Sequence, residues 1–178
     1  VRRDFFGYSG RALSRGPATM AERLNIADLL QTARFWGWRI ATAESCTGGM
    51  VAAALTDVPG SSDVFDRGFI TYSNAAKVAM LGVSSETLAT NGAVSEAVAV
   101  EMAAGALHAA GVALTVSITG IAGPGGTEHK PEGRVCFGLA QQGQPSRCET
   151  VDFGPLGRRN VRYAATKHAL GLLALALQ

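Results

Sequence analysis

The chain has 178 residues, of which 47% are apolar and 17% are charged, and its formal net charge is +2. That length and balance are typical of one globular domain with a sizeable core, and they exclude an intrinsically disordered protein. No apolar run approaches the ~18 residues that a membrane span needs, so we expect no membrane partner.

The class of protein is limited further by its cysteines, its histidines and the distribution of its charge. Cys46, Cys136 and Cys148 are odd in number and scattered, so they predict no disulfide framework and favour a reducing cytoplasm. The three histidines show no ligand spacing, and we expect no metal site. Most of the excess positive charge lies in residues 1–19, so the remainder is slightly acidic and no nucleic-acid partner is expected.

Residues 1–19 lack the apolar periodicity of a helix or a strand. They contain four arginines, three glycines and one proline, and they lack the apolar segment of a secretory signal. We interpret them as a disordered arm, a linker or vector-derived sequence, with a basic targeting arm as the alternative. Met20 would then begin a single domain that covers residues 20–178.

The helices are predicted from apolar periodicity and from their capping residues. They cover residues 20–36, 48–57, 75–81, 84–90, 96–110 and 158–177. Gly37 is expected to end the first of them. Asn74 is the expected N-cap of the third, and Ser84 and Ser95 are the expected N-caps of the next two.

The strands are predicted from short apolar runs that turn residues separate. They cover residues 39–44, 67–72, 112–119, 134–141 and 147–153. The third is nearly all apolar, which is typical of a strand buried on both faces. A short loop joins the last two, so they should form an antiparallel hairpin. The predicted fold class is therefore α/β, a mixed five-stranded sheet with helices on both faces.

A polar segment follows each of the first three strands, in the order ESCTGG, TYSN and TGIAGPGG. In sheets of this kind, ligands bind beyond the carboxyl ends of the parallel strands. If the three segments converge at one edge of the sheet, they build one pocket.

The first of these segments joins a strand to a helix and contains two candidate nucleophiles. Ser45 is the first, and Cys46 competes with it because a helix start favours a thiolate. Backbone N–H groups at the turn, near Thr47, Gly48 and Gly49, are suited to hold an oxyanion. The alternatives are an ordinary Ser/Thr N-cap with glycines kept for packing, and for the cysteine a small buried residue.

A serine hydroxyl needs a base to become reactive, and Lys77 is the candidate. It lies one turn into the helix that follows TYSN, from where it can point back at the strand ends. A desolvated lysine can lose its proton near neutral pH. Tyr72, at the end of the second strand, could relay a proton or orient the lysine. The alternative for Lys77 is a solvated surface lysine, the commoner environment of this residue type.

Residues 120–133 form a segment that is too long for a simple connection between two strands, and such long loops often line a functional site. The sequence TGIAGPGG at its start could cradle a phosphate with backbone N–H groups. It is not a Walker A loop, since no Gly-Lys-Ser/Thr follows, and it is not the GxGxxG dinucleotide fingerprint.

Taken together, the motifs resemble the CinA C-terminal domain family, the nicotinamide mononucleotide deamidases. The resemblance extends from about residue 22 to residue 178, in the family's order. The matching motifs are AESCTGG (43–49), VPGSS (58–62), RGFITYSNAAK (67–77), LGV (81–83), GAVSEAV (92–98) and TGIAGPGG (119–126). The resemblance implies a three-layer α/β/α domain that hydrolyses the carboxamide of nicotinamide mononucleotide to nicotinate mononucleotide and ammonia, with no cofactor.

The resemblance also implies roles for single residues. The serine, tyrosine and lysine of the family fall on Ser45, Tyr72 and Lys77. The expected oxyanion and substrate-binding residues are Thr47, Gly48, Gly49, Asn74, Thr119, Gly120, Gly123, Gly125 and Arg158. The expected partner is a small-molecule nucleotide substrate, and any homo-oligomer is expected to be a dimer.

Two segments depart from the pattern that the family usually shows. The sequence KPEG (130–133) stands where the family has Lys-Pro-Val-Gly, which places an additional charge, Glu132, near the pocket rim. The sequence LGRR (156–159) stands where the family tends to have a Gly-Asp-Arg turn. Arg158 is therefore only the nearest counterpart of that arginine.

Two other function classes compete with an amidase. One is a non-catalytic nucleotide-binding or partner-docking module, because the family name derives from competence and DNA damage induction, but the intact Ser45, Tyr72 and Lys77 set argues against it. The other is an oxidoreductase similar to short-chain dehydrogenases. Those enzymes space their tyrosine and lysine as Y-x3-K, whereas Tyr72 and Lys77 are five positions apart and no dinucleotide fingerprint is present.

Overall fold

The computed structural model describes residues 25–178, so the expected arm over residues 1–19 and the first residues of the first predicted helix lie outside it. The helices are α1 (Ile26–Trp36), α2 (Met50–Thr56), α3 (Asn74–Leu81), α4 (Ser85–Asn91), α5 (Glu96–Ala110) and α6 (Arg158–Ala176). The strands are β1 (Ile40–Glu44), β2 (Phe65–Ile70), β3 (Leu114–Gly120), β4 (Arg134–Gln141) and β5 (Arg147–Asp152). None of the helices within residues 25–178 has the length and hydropathy of a membrane span.

The five strands form one mixed sheet in the order β2-β1-β3-β4-β5. β1 runs parallel to both of its neighbours, β2 and β3, whereas β4 is antiparallel to β3 and to β5. The predicted fold class and the predicted hairpin are therefore confirmed. β1 and β3 lie in the centre and are buried almost throughout, together with the polar side chains that they carry, such as Thr42, Glu44 and Ser117.

Helices cover both faces of the sheet and give a three-layer α/β/α architecture. On one face α1, α2 and α6 enclose the larger apolar core, and on the other α5 lies against the sheet with α3 and α4 packed beside it. The larger core includes Leu30, Leu55, Phe137 and Leu173, and the smaller includes Leu81 and Met102. Both cores fix the helices against the strand ends that carry the candidate site.

The boundaries of the second strand and the third helix differ from the prediction. β2 begins two residues earlier and ends at Ile70, so Tyr72 lies beyond it. Ser73, and not Asn74, is the N-cap of α3, because its hydroxyl accepts the N–H of Ala76 at 3.1 Å. The prediction of Asn74 as the cap is therefore wrong: serine and asparagine suit this position almost equally, and sequence alone did not choose between neighbours.

Two helical glycines differ sharply in their surroundings. A Cβ added to Gly105 of α5 would lie 1.9 Å from the carbonyl oxygen of Leu81, at the end of α3. A Cβ added to Gly171 of α6 would meet no heavy atom within 4 Å. The close packing of α5 on the helix that carries Lys77 thus depends on the missing side chain at Gly105.

We expect Gly105→Ala to lower the free energy of unfolding by about 3 kcal/mol, because α3 and α5 must move apart to admit the methyl group. Gly171→Ala is the matched control, and it should raise the free energy of unfolding by up to ~1 kcal/mol through better helix propensity. Urea unfolding of the two variants measures both effects. Equal stabilities would contradict the α3–α5 packing described above.

Candidate active site

The structure brings the side chains of Ser45 and Lys77 into direct contact. The Nζ atom of Lys77 lies 3.1 Å from the Oγ atom of Ser45 and donates to the carbonyl oxygen of Thr71 at 2.8 Å. Only 1% of Lys77 is exposed, and Ser45 is also buried. A lysine in such a place is not the solvated surface residue of the alternative interpretation.

Backbone contacts between neighbouring strands place this pair. The N–H of Ser45 donates to the carbonyl oxygen of Ile118 in β3 at 2.9 Å, and the N–H of Thr71 donates to the carbonyl oxygen of Glu44 in β1 at 2.9 Å. The carboxyl ends of β1, β2 and β3 therefore lie side by side. Lys77 lies one turn into α3 and reaches back to this edge, as its position in the sequence indicated.

The environment of Lys77 favours its neutral form. Burial lowers the pKa of its amine, and the nearby Cys46 opposes this effect to a smaller extent. Both contacts of the amine are to uncharged groups, a hydroxyl and a carbonyl oxygen. A neutral amine beside a serine hydroxyl is the arrangement that a general base requires.

Cys46, the competing nucleophile, is enclosed in the larger apolar core. Burial raises the pKa of its thiol to about 12, so the thiol is protonated at neutral pH. This result agrees with the alternative interpretation, a small buried residue, and leaves Ser45 as the candidate nucleophile that has a candidate base beside it.

The buried carboxylate of Glu44 holds the start of α2, which has no side-chain cap of its own. It accepts the N–H groups of Gly49 at 2.9 Å, Val51 at 3.1 Å and Ala52 at 2.9 Å, and the hydroxyl of Thr42 at 3.2 Å. Negative charge is favourable at a helix start. This role of Glu44 was not predicted from the sequence, although an acidic residue at the end of an apolar strand was a signal for it.

Arg162 of α6 fixes the same turn from the other side. Its Nε donates to the carbonyl oxygen of Cys46 and its guanidinium Nη2 donates to that of Thr47, both at 3.0 Å. Gly48 and Gly49 have φ of 60° and 97°, the left-handed region in which a side chain is strained. No pattern in the sequence pointed to Arg162, since α6 and the turn meet only in the folded chain.

The turn offers fewer oxyanion donors than its sequence indicated. The N–H of Gly48 already donates to the carbonyl oxygen of Ser45 at 3.1 Å, and that of Gly49 donates to Glu44. Within residues 25–178 the N–H groups of Cys46 and Thr47 have no hydrogen-bond acceptor. The Oγ1 atoms of Thr47 and Thr71 are buried, also without a partner in that part of the chain.

Tyr72 and Arg158 lie at the mouth of the site rather than in it. Tyr72 is 61% exposed, and its hydroxyl accepts a hydrogen bond from the guanidinium of Arg158 at 2.8 Å. The carbonyl of Thr71, and not the hydroxyl of Tyr72, orients Lys77. Asn74 is exposed at the first turn of α3 nearby.

The glycine-rich loop, residues 120–133, is held by contacts within the chain. The hydroxyl of Thr119 donates to the carbonyl oxygen of Ala93 at 2.7 Å, and a Cβ on Gly120 would lie 2.7 Å from the side chain of Val135. The N–H of Gly125 donates to Glu132 at 2.6 Å. Among residues 25–178, no three His, Cys, Asp or Glu side chains are grouped as a metal site would need.

The profile of the CinA C-terminal domain matches residues 23–177. This chain belongs to the CinA C-terminal domain family. The resemblance seen in the sequence motifs is therefore confirmed.

Curated relatives of this CinA-family chain include proteins named as amidohydrolases and proteins named only for their likeness to CinA. It is 54% identical over 142 residues to "Nicotinamide-nucleotide amidohydrolase PncC" of Escherichia coli strain K12, a match that covers 77% of this chain and 83% of the relative. It is 60% identical over 126 residues to "CinA-like protein" of Chlorobium phaeobacteroides strain BS1, a match that covers 69% of this chain. That match spans only 30% of the length of the Chlorobium protein.

Solved structures of the family share the fold. A competence/damage inducible protein, CihA, from Agrobacterium tumefaciens is 43% identical with a TM-score of 0.83, and the match covers 93% of this chain and 99% of that chain. A CinA superfamily protein from Enterobacter cloacae is 34% identical with a TM-score of 0.83, and the match covers 97% and 100% respectively. The three-layer architecture is thus that of the CinA family.

Proposed function

We propose that this chain hydrolyses the carboxamide of nicotinamide mononucleotide to nicotinate mononucleotide and ammonia, with Ser45 as nucleophile and Lys77 as base. The observation that carries the proposal is the 3.1 Å contact between the buried Lys77 amine and the Ser45 hydroxyl. The name of the Escherichia coli relative, nicotinamide-nucleotide amidohydrolase, supports the choice of substrate.

In the first step, neutral Lys77 takes the proton of the Ser45 hydroxyl while Oγ attacks the carboxamide carbon. The oxyanion of the tetrahedral intermediate is held by the N–H groups of Cys46 and Thr47, which have no other acceptor within residues 25–178. Each such donor is commonly worth ~3 kcal/mol. The intermediate collapses when the C–N bond breaks, and the Lys77 ammonium returns the proton to the leaving nitrogen, so ammonia departs.

In the second step, water attacks the ester carbon and gives a proton to Lys77. The C–Oγ bond breaks, Ser45 recovers its proton from Lys77, and nicotinate mononucleotide leaves. Tyr72 assists from the mouth of the site, where it precedes α3 and accepts a hydrogen bond from Arg158. The chemistry needs no metal or organic cofactor.

Arg158 is the cation that receives the phosphate end of the substrate in this proposal. It is exposed, as is Asn74, and the expected binding surface is completed by Thr119 and Gly120 at the end of β3 and by Gly123 of the glycine-rich loop. The reaction is placed in the cytoplasm, an assignment that the three free cysteines support. The proposed substrate is the small-molecule partner, and a dimer is the form that we favour for any homo-oligomer.

The first test compares the two candidate nucleophiles in an assay of ammonia release from nicotinamide mononucleotide. Ser45→Ala should lower kcat by at least about a thousandfold, as removal of a nucleophile does in related chemistry. Cys46→Ala should retain most of the activity, because a protonated buried thiol takes no part in the reaction. An inactive Cys46 variant beside an active Ser45 variant would rule out the serine mechanism.

The second test concerns the protonation of Lys77. Its neutral form is the active one, and burial lowers its pKa, so kcat/KM should rise with pH and level off below the pH at which a free lysine titrates. Lys77→Arg keeps the positive charge but cannot release its proton, and its kcat should fall on the order of a thousandfold. Nucleotide binding by the folded variant should survive. Near wild-type turnover of Lys77→Arg would remove Lys77 from the role of base.

A further inference from the structure

Glu132 closes the glycine-rich loop onto the start of α6. Its Oε2 atom accepts the N–H of Gly125 at 2.6 Å, and its Oε1 atom accepts the N–H of Gly157 at 3.0 Å. Gly157 is the N-cap of α6 and has no side chain with which to cap it. One carboxylate therefore takes up N–H groups from two segments that are distant in sequence.

The position of the Glu132 carboxylate is the one that the loop would offer to a phosphate. Converging backbone N–H groups and a helix start bind anions, whether these are carboxylates or phosphates. A Cβ added to Gly123 would lie 2.4 Å from the carboxyl carbon of Glu132, which shows how closely the carboxylate packs against the loop. A substrate phosphate cannot use the N–H groups of Gly125 and Gly157 while Glu132 holds them.

Arg158 directly follows Gly157, whose N–H Glu132 accepts, and it forms no ion pair with any acidic side chain of residues 25–178. Its guanidinium donates to the carbonyl oxygen of Gly123 at 3.0 Å and to the hydroxyl of Tyr72, both of which are uncharged. The mouth of the site thus carries one negative and one positive charge from neighbouring segments. An anionic substrate end meets attraction from Arg158 and repulsion from Glu132.

We propose that Glu132 is a specificity-determining residue of this amidase. Its negative charge weakens binding of the phosphate end of a nucleotide, and this lowers the preference of the enzyme for nucleotide amides over nucleoside amides. The inference rests on the proposed function. The Glu132 carboxylate occupies the expected phosphate site at Gly125, so Arg158 remains as the group that recognises the phosphate. Glu132 acts on the charge of the substrate's far end and not on the amide bond.

A purely structural role for Glu132 makes the opposite prediction. If the carboxylate only fastens the loop to α6, its loss would loosen Arg158 and Tyr72 and weaken binding of the nucleotide. If it repels the phosphate, its loss would strengthen that binding. The sign of the effect on nucleotide binding therefore separates the two roles.

The experiment compares Glu132→Gln with Glu128→Gln, which removes the same charge from the same loop. The Glu128 side chain is 88% exposed and takes up neither of the two N–H groups. Ammonia release from nicotinamide mononucleotide and from nicotinamide riboside gives the ratio of the two kcat/KM values. Removing a like charge close to the phosphate should raise this ratio about tenfold in Glu132→Gln, with little change in Glu128→Gln. An unchanged or lower ratio in Glu132→Gln would overturn the proposal.

Two further Glu132 variants and a binding measurement separate the effect of charge from a loss of folding or of activity. Glu132→Asp retains the charge and should keep the wild-type ratio of the two kcat/KM values. Glu132→Met is a second neutral variant, and the same ratio is measured for it if Glu132→Gln does not fold. Calorimetric binding of inorganic phosphate needs no turnover, and its Kd should fall about tenfold in the neutral variants for the same electrostatic reason. If wild-type protein releases no ammonia, the proposed function fails, while the phosphate Kd still decides the role of Glu132. A phosphate Kd that does not fall overturns it.

Discussion

The burial of one lysine amine governs the rest of the site. Removing an ammonium group from water is costly, so a lysine that is 1% exposed and has no acidic contact favours its neutral form. The carbonyl oxygen of Thr71 and the hydroxyl of Ser45 satisfy the amine without holding its charge. A carboxylate in either place would stabilise the ammonium and raise the pKa of Lys77. The local fold thus determines whether the lysine can act as a base.

The position of Ser45 in its contact with Lys77 depends on a rigid turn. Glu44 holds the start of α2 through three N–H groups, and Arg162 holds two carbonyl oxygens of the same turn. These contacts fix the turn on both sides of Ser45. The N–H groups of Cys46 and Thr47 have no hydrogen-bond acceptor within residues 25–178. A site whose donors are already oriented needs little reorganisation when charge develops in the reaction.

Sequence patterns predicted the fold and singled out Ser45 and Lys77 because both leave local signals. Periodicity and caps gave six helices and five strands, and the polar segments after the strands led to Ser45 and Lys77, which are 32 positions apart and touch in the structure. The roles of Glu44, Arg162 and Glu132 were not predicted. Arg162 and Glu132 act through side chain to backbone contacts between distant segments, such as the 116 positions between Arg162 and Cys46, and no local pattern encodes these contacts. Glu44 acts on the turn that follows it directly, and the acidic residue at the end of an apolar strand was a signal for its role. The cap of α3 was missed for a smaller reason, since Ser73 and Asn74 are both good N-caps.

The proposed chemistry requires that Lys77 is neutral in the folded protein at a pH where a free lysine is charged. The chain contains only three lysines, so NMR of protein labelled at the lysine Cε position gives few signals, and Lys77→Met identifies the one in question. A pH titration of that signal measures the pKa of the amine directly. We expect a pKa well below the ~10.4 of a free lysine side chain, in the intact protein and without substrate. A Lys77 signal that titrates at or above that value would contradict it.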